Sequence, residues 1–218
     1  MRLRQTTSEA DFAEGWWLDW GQDPAPGGQP ARACPAPADI AAIRNARFPP
    51  GRMDGVTYSF QETTVTLASS PVRLGFCGDA AINCNACFGD GLLVAPSFAA
   101  GQPGDAAIRL GFSTPVAAVG SFVAGLWPPG GEDGEFRAKL WVRLTTGGDR
   151  RSPVWMPPFT VRGKGGQFVL PGTPRGAPFL GAISSEANIV EAAFDIAPIG
   201  GAVMPQVAIA PLFATTPA

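Results

Sequence analysis

Strict alternation over FRAKLWVRLT, residues 136–145, sets Phe136, Ala138, Leu140, Val142 and Leu144 against Arg137, Lys139, Trp141, Arg143 and Thr145. A period of two predicts a β-strand with one buried face, and here the opposite face carries three cations and a tryptophan. Shorter runs in the same style predict strands at VTYSF (56–60), TVTL (64–67), VRLGF (72–76) and AIRLGF (107–112). VAAVGSFVAGL (116–126) has no polar face, so a strand buried on both sides is expected there. Further strands are predicted at FTV (159–161), QFVL (167–170), PFLGAI (178–183), NIVEAAFDI (188–196) and QVAIAPLF (206–213), with turns at PPGGEDGE (128–135) and GGDRRS (147–152). Many short strands separated by glycine and proline turns predict two sheets packed face to face.

The N-terminal region reads differently. Thr7 or Ser8 can cap a short helix with acids in its first turn, ending before Gly15, and Trp16, Trp17 and Trp20 follow. GQDPAPGGQPARACPAP (21–37) is too rich in proline and glycine for regular structure. A second short helix is expected over 39–47, stopped by Pro49, Pro50 and Gly51. The expected organisation is therefore a loop-rich segment, 1–50, packed on a single sandwich domain, 51–218.

Composition narrows the chemistry. The 218 residues include no histidine, which removes Ser-His and Cys-His catalysis within this chain and the usual histidine-containing zinc sites. Eighteen acids remain, but the sequence nominates no pair for glycoside hydrolysis. A net charge of -2 leaves no electrostatic footprint for nucleic acid or anionic lipid. Arginine outnumbers lysine fourteen to two, a ratio that fits the coding bias of a GC-rich genome. No run reaches the roughly 18 apolar residues of a membrane span, and MRLRQTTSEADF lacks the apolar core of a signal peptide.

Four cysteines, Cys34, Cys77, Cys84 and Cys87, leave three readings open. Two disulfides suit an exported β protein, with three pairings possible. Buried thiols are the second reading, and a four-thiolate metal site the third, although Cys84-x2-Cys87 has no second knuckle to match it. Glu132, Asp133 and Glu135, with Asp79 and Asp90, are candidate oxygen ligands for calcium, but their spacing is not that of an EF-hand. Otherwise no cofactor is expected. GKGG (163–166) and GDG (89–91) lack the context of a phosphate loop and read as turns.

Six tryptophans against one tyrosine suggest stacking surfaces for sugar rings. Trp141 is the best-placed, between Lys139 and Arg143 with Arg137 at the edge; these four are the candidate ligand-binding residues. The competing reading buries Trp141 beneath a loop or the N-terminal segment, with a cation stacked on it.

IRLGFSTPVAAVGSFVAG (108–125), FRAKLWVRLTTGG, APFLGAISSEANIVEAAFDI (177–196) and VAIAPLF follow one another in an order that resembles a group of bacterial exported proteins of PEP-CTERM type. Those proteins carry a jelly-roll, lectin-like sandwich. The Pro-Glu-Pro tail, the terminal apolar helix and the Ile-Asp-Asn ending of that group are not in this sequence. The resemblance implies a secreted or cell-surface location and a matrix role without catalysis. The expectation is thus a jelly-roll-type antiparallel β-sandwich that binds extracellular glycan. The alternative is a self-assembling surface or matrix subunit, and a carboxylate-dependent glycosidase is third.

Overall fold

The computed structural model describes residues 2–20, 25–26, 57–60, 63–68, 71–77, 85–86, 90–127, 134–146, 149–166, 176–200 and 206–216. They form an all-β sandwich of two antiparallel sheets. In the first sheet, β1 (Leu3–Thr6), β13 (Phe179–Ser184), β9 (Ala118–Leu126) and β15 (Gln206–Thr215) lie side by side. Beyond β15, its first half pairs with β7 (Gly91–Pro96), which continues to β6 (Arg73–Phe76). Its second half pairs with β2 (Trp16–Leu18), followed by β3 (Ala25–Pro26). The exchange of partners falls where the register of β15 shifts, between Ile209 and Leu212. Pro211 within that interval has no N–H to give the ladder. Ser121 Oγ lies 3.0 Å from the Ala210 carbonyl and 3.1 Å from that of Pro211, and Trp20 Nε1 donates to Ala210 at 2.8 Å. Buried carbonyls at the irregularity are thereby satisfied.

The second sheet runs β10 (Glu135–Thr146), β14 (Ile189–Pro198), β8 (Ile108–Val116), β5 (Thr63–Leu67) and β4 (Thr57–Phe60). The other edge of β10 is shared by β11 (Asp149–Trp155), near its C-terminal end, and β12 (Phe159–Lys164), near its N-terminal end. The alternation read from 136–145 holds: Phe136, Ala138, Leu140, Val142 and Leu144 are buried in the core between the sheets, against residues such as Val119, Val123 and Leu180. Full burial of such side chains stabilises by about 1.5–3 kcal/mol each.

β9 is buried at every position, as its unbroken apolar run predicts. Val119 and Val123 face the central core, whereas Phe122, Ala124 and Leu126 join a second cluster on the opposite side of the sheet. Phe12, Phe122, Phe179 and Phe213 meet there edge-on or tilted, with ring centroids 5.1–6.1 Å apart.

Within the N-terminal segment, residues 2–20 contribute strands to the first sheet. β1 and β2 are sheet strands, and Trp16 and Trp20 sit in the central core. Between them lies a single 3-10 turn, Glu9–Phe12, capped by Ser8 Oγ accepting from Ala10 N, as the capping pattern predicts. Five strands carry no expectation from the sequence, among them β1 and the two-residue β3, which lies in the segment 21–37 expected to be irregular. GLLVAP forms β7, buried at five of six positions. WWL forms β2, and DRRSPVW forms β11 where a turn was expected over 147–152. The helix expected over 39–47 and the strand over 167–170 lie outside the described residues.

Candidate functional site

The outer face of the second sheet carries the polar residues singled out by alternation. Strand register sets them in rows. Trp155, Arg143 and Glu191 share one row, continued by Gly111 and Thr66; Trp141, Ala193 and Arg109 share the next; then come Thr160, Lys139 and Asp195; then Arg162, Arg137 and Ala197.

Trp141 does not present an open platform. It is 3% exposed and packs with Ala100, Ala106 and Ala193, beside Trp155. The covering layer is the connection from β7 to β8, residues 97–107, which folds over the sheet and includes a short 3-10 turn, Pro103–Asp105. Lys139 Nζ lies 5.7 Å from the Trp141 ring centroid and donates to the carbonyl of Ala100 at 2.7 Å, with that of Ala99 at 3.5 Å. Lys139 therefore holds the cover down. The competing sequence reading, a buried Trp141 with a cation on it, describes this arrangement.

Asp195, fully buried, fastens the same loop from below. Its Oδ2 accepts from Ala100 N at 3.0 Å, and its Oδ1 accepts from Ile196 N at 2.7 Å. Ser97 Oγ lies 2.8 Å from Asp195 Oδ1 and 2.7 Å from the Ile196 carbonyl, and accepts from Ala99 N at 3.3 Å. Ala99 adopts φ 51°, the left-handed region that a residue with a Cβ rarely enters. Such a conformation costs about 1–3 kcal/mol and persists only where neighbouring contacts over-determine it. The residue before it, Phe98, is 59% exposed.

Phe98 stands at the mouth of a cleft of about 540 Å³, lined also by Ala68, Gly104, Asp105, Ala106, Ala107 and Arg109. Arg109 is oriented from behind: its Nη2 lies 3.1 Å from Glu191 Oε2, while Arg143 Nη1 binds Glu191 Oε1 at 2.6 Å. Arg143 in turn donates to the Pro153 carbonyl at 3.2 Å and stacks 5.9 Å from the Trp155 centroid. One carboxylate thus positions two half-buried guanidinium groups. A concave space with one aromatic ring, one acid and one cation lies at the loop and β8, whereas the sequence expectation fell on β10. A second cleft, of about 310 Å³, lies between Pro71–Arg73, Val94–Pro96 and Gln206; there Arg73 donates to Gln206 at 3.3 Å, so its two polar side chains engage each other.

Of the four expected ligand residues, Lys139 and Arg143 have structural partners, Trp141 is covered, and Arg137 is exposed. Phe98, Arg109, Glu191 and Asp195 carry no expectation from sequence. The available signal was Glu191 and Asp195 four residues apart in NIVEAAFDI, hence on one face of an otherwise apolar strand.

Of the calcium candidates, Glu135 and Asp90 fall among the described residues: Glu135 is exposed at the start of β10, and Asp90 is buried beside β7 in the other sheet. Glu132, Asp133 and Asp79 lie outside the described residues, among which no group of three or more metal-ligating side chains occurs. Cys34, Cys84 and Cys87 also lie outside them; Cys77 is buried, its Sγ 3.4 Å from the Ala86 carbonyl. No described helix is long and apolar enough to cross a membrane. No family model, curated protein or solved structure matches this chain.

Proposed function

We propose that this protein is a non-catalytic, extracellular or cell-surface carbohydrate-binding domain, lectin-like in mode, whose ligand stacks on Phe98 and enters the cleft beside it. The observation that carries this reading is the exposed Phe98 ring lining the cleft, flanked in sequence by Ala99 in the left-handed region and by Ser97 of the buried Asp195 network. A backbone outlier next to an exposed aromatic ring beside a cleft motivates a functional reading of that ring. Sugar rings present apolar C–H faces to such a wall, and Asp105 and Arg109 offer an acceptor and donors to hydroxyl groups. The resemblance to exported PEP-CTERM-type proteins supports the location, and two disulfides among Cys34, Cys77, Cys84 and Cys87 would accord with it.

A glycan array of the purified chain, followed by titration of the best ligand against Phe98→Ala, tests the proposal. Truncating an aromatic anchor should weaken binding about 30-fold. A blank array, or undiminished affinity in the variant, would reject it. Val154, 51% exposed on β11 at the sheet edge, favours self-association as the second reading. Sedimentation of a monomer at high concentration would count against that one.

A further inference from the structure

Arg137 on β10 and Arg162 on β12 are direct cross-strand partners, and both are exposed on the outer face of the second sheet. Antiparallel partners have Cβ atoms about 4.5–5.5 Å apart, and like charges directly opposite each other destabilise a sheet. Among the described residues, neither has an acid directly opposite it. The flanking rows add half-buried Lys139 opposite Thr160 and exposed Lys164 opposite Glu135, while Ala197 is the neighbour of Arg137 on β14. Asp195, the nearest acid on β14, is turned to Ser97 and Ala100 beneath the loop. Among the described residues of these rows, one exposed acid, Glu135, stands with four cations, in a chain that has sixteen cations and a net charge of -2. Among the described residues neither arginine forms an ion pair.

We propose that Arg137 and Arg162 form an oxyanion site that engages the carboxylate or sulfate groups of an acidic polysaccharide. Two planar guanidinium groups rising from adjacent strands can share one oxyanion, each through paired N–H donors, and the bound charge cancels the cross-strand repulsion. Assignment to a polysaccharide rests on the carbohydrate reading above, while the oxyanion site itself rests on the strand register alone. Lys139 links the two regions. It is one pleat repeat, roughly 7 Å, from Arg137, and its Nζ reaches the loop that carries Phe98.

The test is calorimetric titration of the whole chain with oligogalacturonate, sulfated dextran, a neutral glucan and orthophosphate, at low and high salt. Wild type, Arg137→Gln, Arg162→Gln, the double variant and Phe98→Ala are compared. The expected result is salt-sensitive binding of an acidic polymer that weakens about tenfold to a hundredfold in the double variant, as for lost hydrogen bonds to a charged group. The ligand-free double variant should melt no lower than wild type, because a repulsion has been removed. Undiminished affinity in the double variant, or no binding of any anion, would overturn the site. Orthophosphate binding as tightly as the polymers would keep the oxyanion site but reject the polysaccharide. If the glucan binds through Phe98 while both arginine variants are silent, the oxyanion site fails and the carbohydrate reading stands.

Discussion

Asp195→Ala is the sharpest perturbation of this architecture, because one fully buried carboxylate fastens the loop that covers Trp141 and presents Phe98. Removing it leaves the Ala100 N–H, only 4% exposed, without its 3.0 Å acceptor. A buried donor orphaned in this way costs about 1–3 kcal/mol. Ser97 keeps the Ile196 carbonyl at 2.7 Å, and loss of a desolvated charge offsets part of the lost Asp195 bonds. Against this stands the strain at Ala99, about 1–3 kcal/mol, which those bonds hold in place. If the loop lifts, roughly 100 Å² of Trp141 meets water, another ~2.5 kcal/mol at about 25 cal/mol per Å². The expected destabilisation is about 2–4 kcal/mol, or a melting temperature lower by roughly 5–15 °C for a chain of this size. Equilibrium urea unfolding measures it. Acrylamide quenching, compared between the Trp141→Phe background and the native tryptophan set, reports whether Trp141 has opened. Asp195→Asn, which keeps one acceptor, should lie between the two. A loss below about 1 kcal/mol with unchanged quenching of Trp141 would refute the view that this network holds the cover.

Ala99→Gly should be neutral or stabilising by up to about 1 kcal/mol, because glycine enters the left-handed region without the Cβ penalty; a loss above ~1 kcal/mol in urea unfolding would show that Ala99 is not strained. Asp11 gives a pH prediction. The Thr6 hydroxyl donates to its Oδ2 at 2.6 Å and Arg4 lies 3.3 Å from the same atom, so its pKa is lowered from the ordinary value near 3.8, with partial burial opposing. A depressed folded-state pKa contributes stability above the unfolded value that is lost as pH falls through the folded one. Thermal melts of wild type and Asp11→Asn should therefore differ at pH 7 and converge on acidification below about pH 4, whereas a difference constant with pH would exclude the ionised carboxylate as its source.

Local sequence determined the class of this protein. Alternation in 136–145 set which side chains leave each face of β10, because the pleat repeats every two residues whatever surrounds it. The unbroken apolar run of 116–126 likewise required burial on both sides of β9, and Ser8 marked the start of the 3-10 turn. Long-range pairing lay beyond that reach. WWL and GLLVAP became strands because the two halves of β15 offered them edges about 200 and 110 residues away in the chain, respectively. Above all, alternation states which face a side chain occupies, not what lies over that face. Trp141 shares its face with Lys139 and Arg143, and only tertiary folding laid residues 97–107 across it. That layer is held by a lysine on one strand and an aspartate on the next, which register alone makes neighbours, and it moved the exposed aromatic from Trp141 to Phe98.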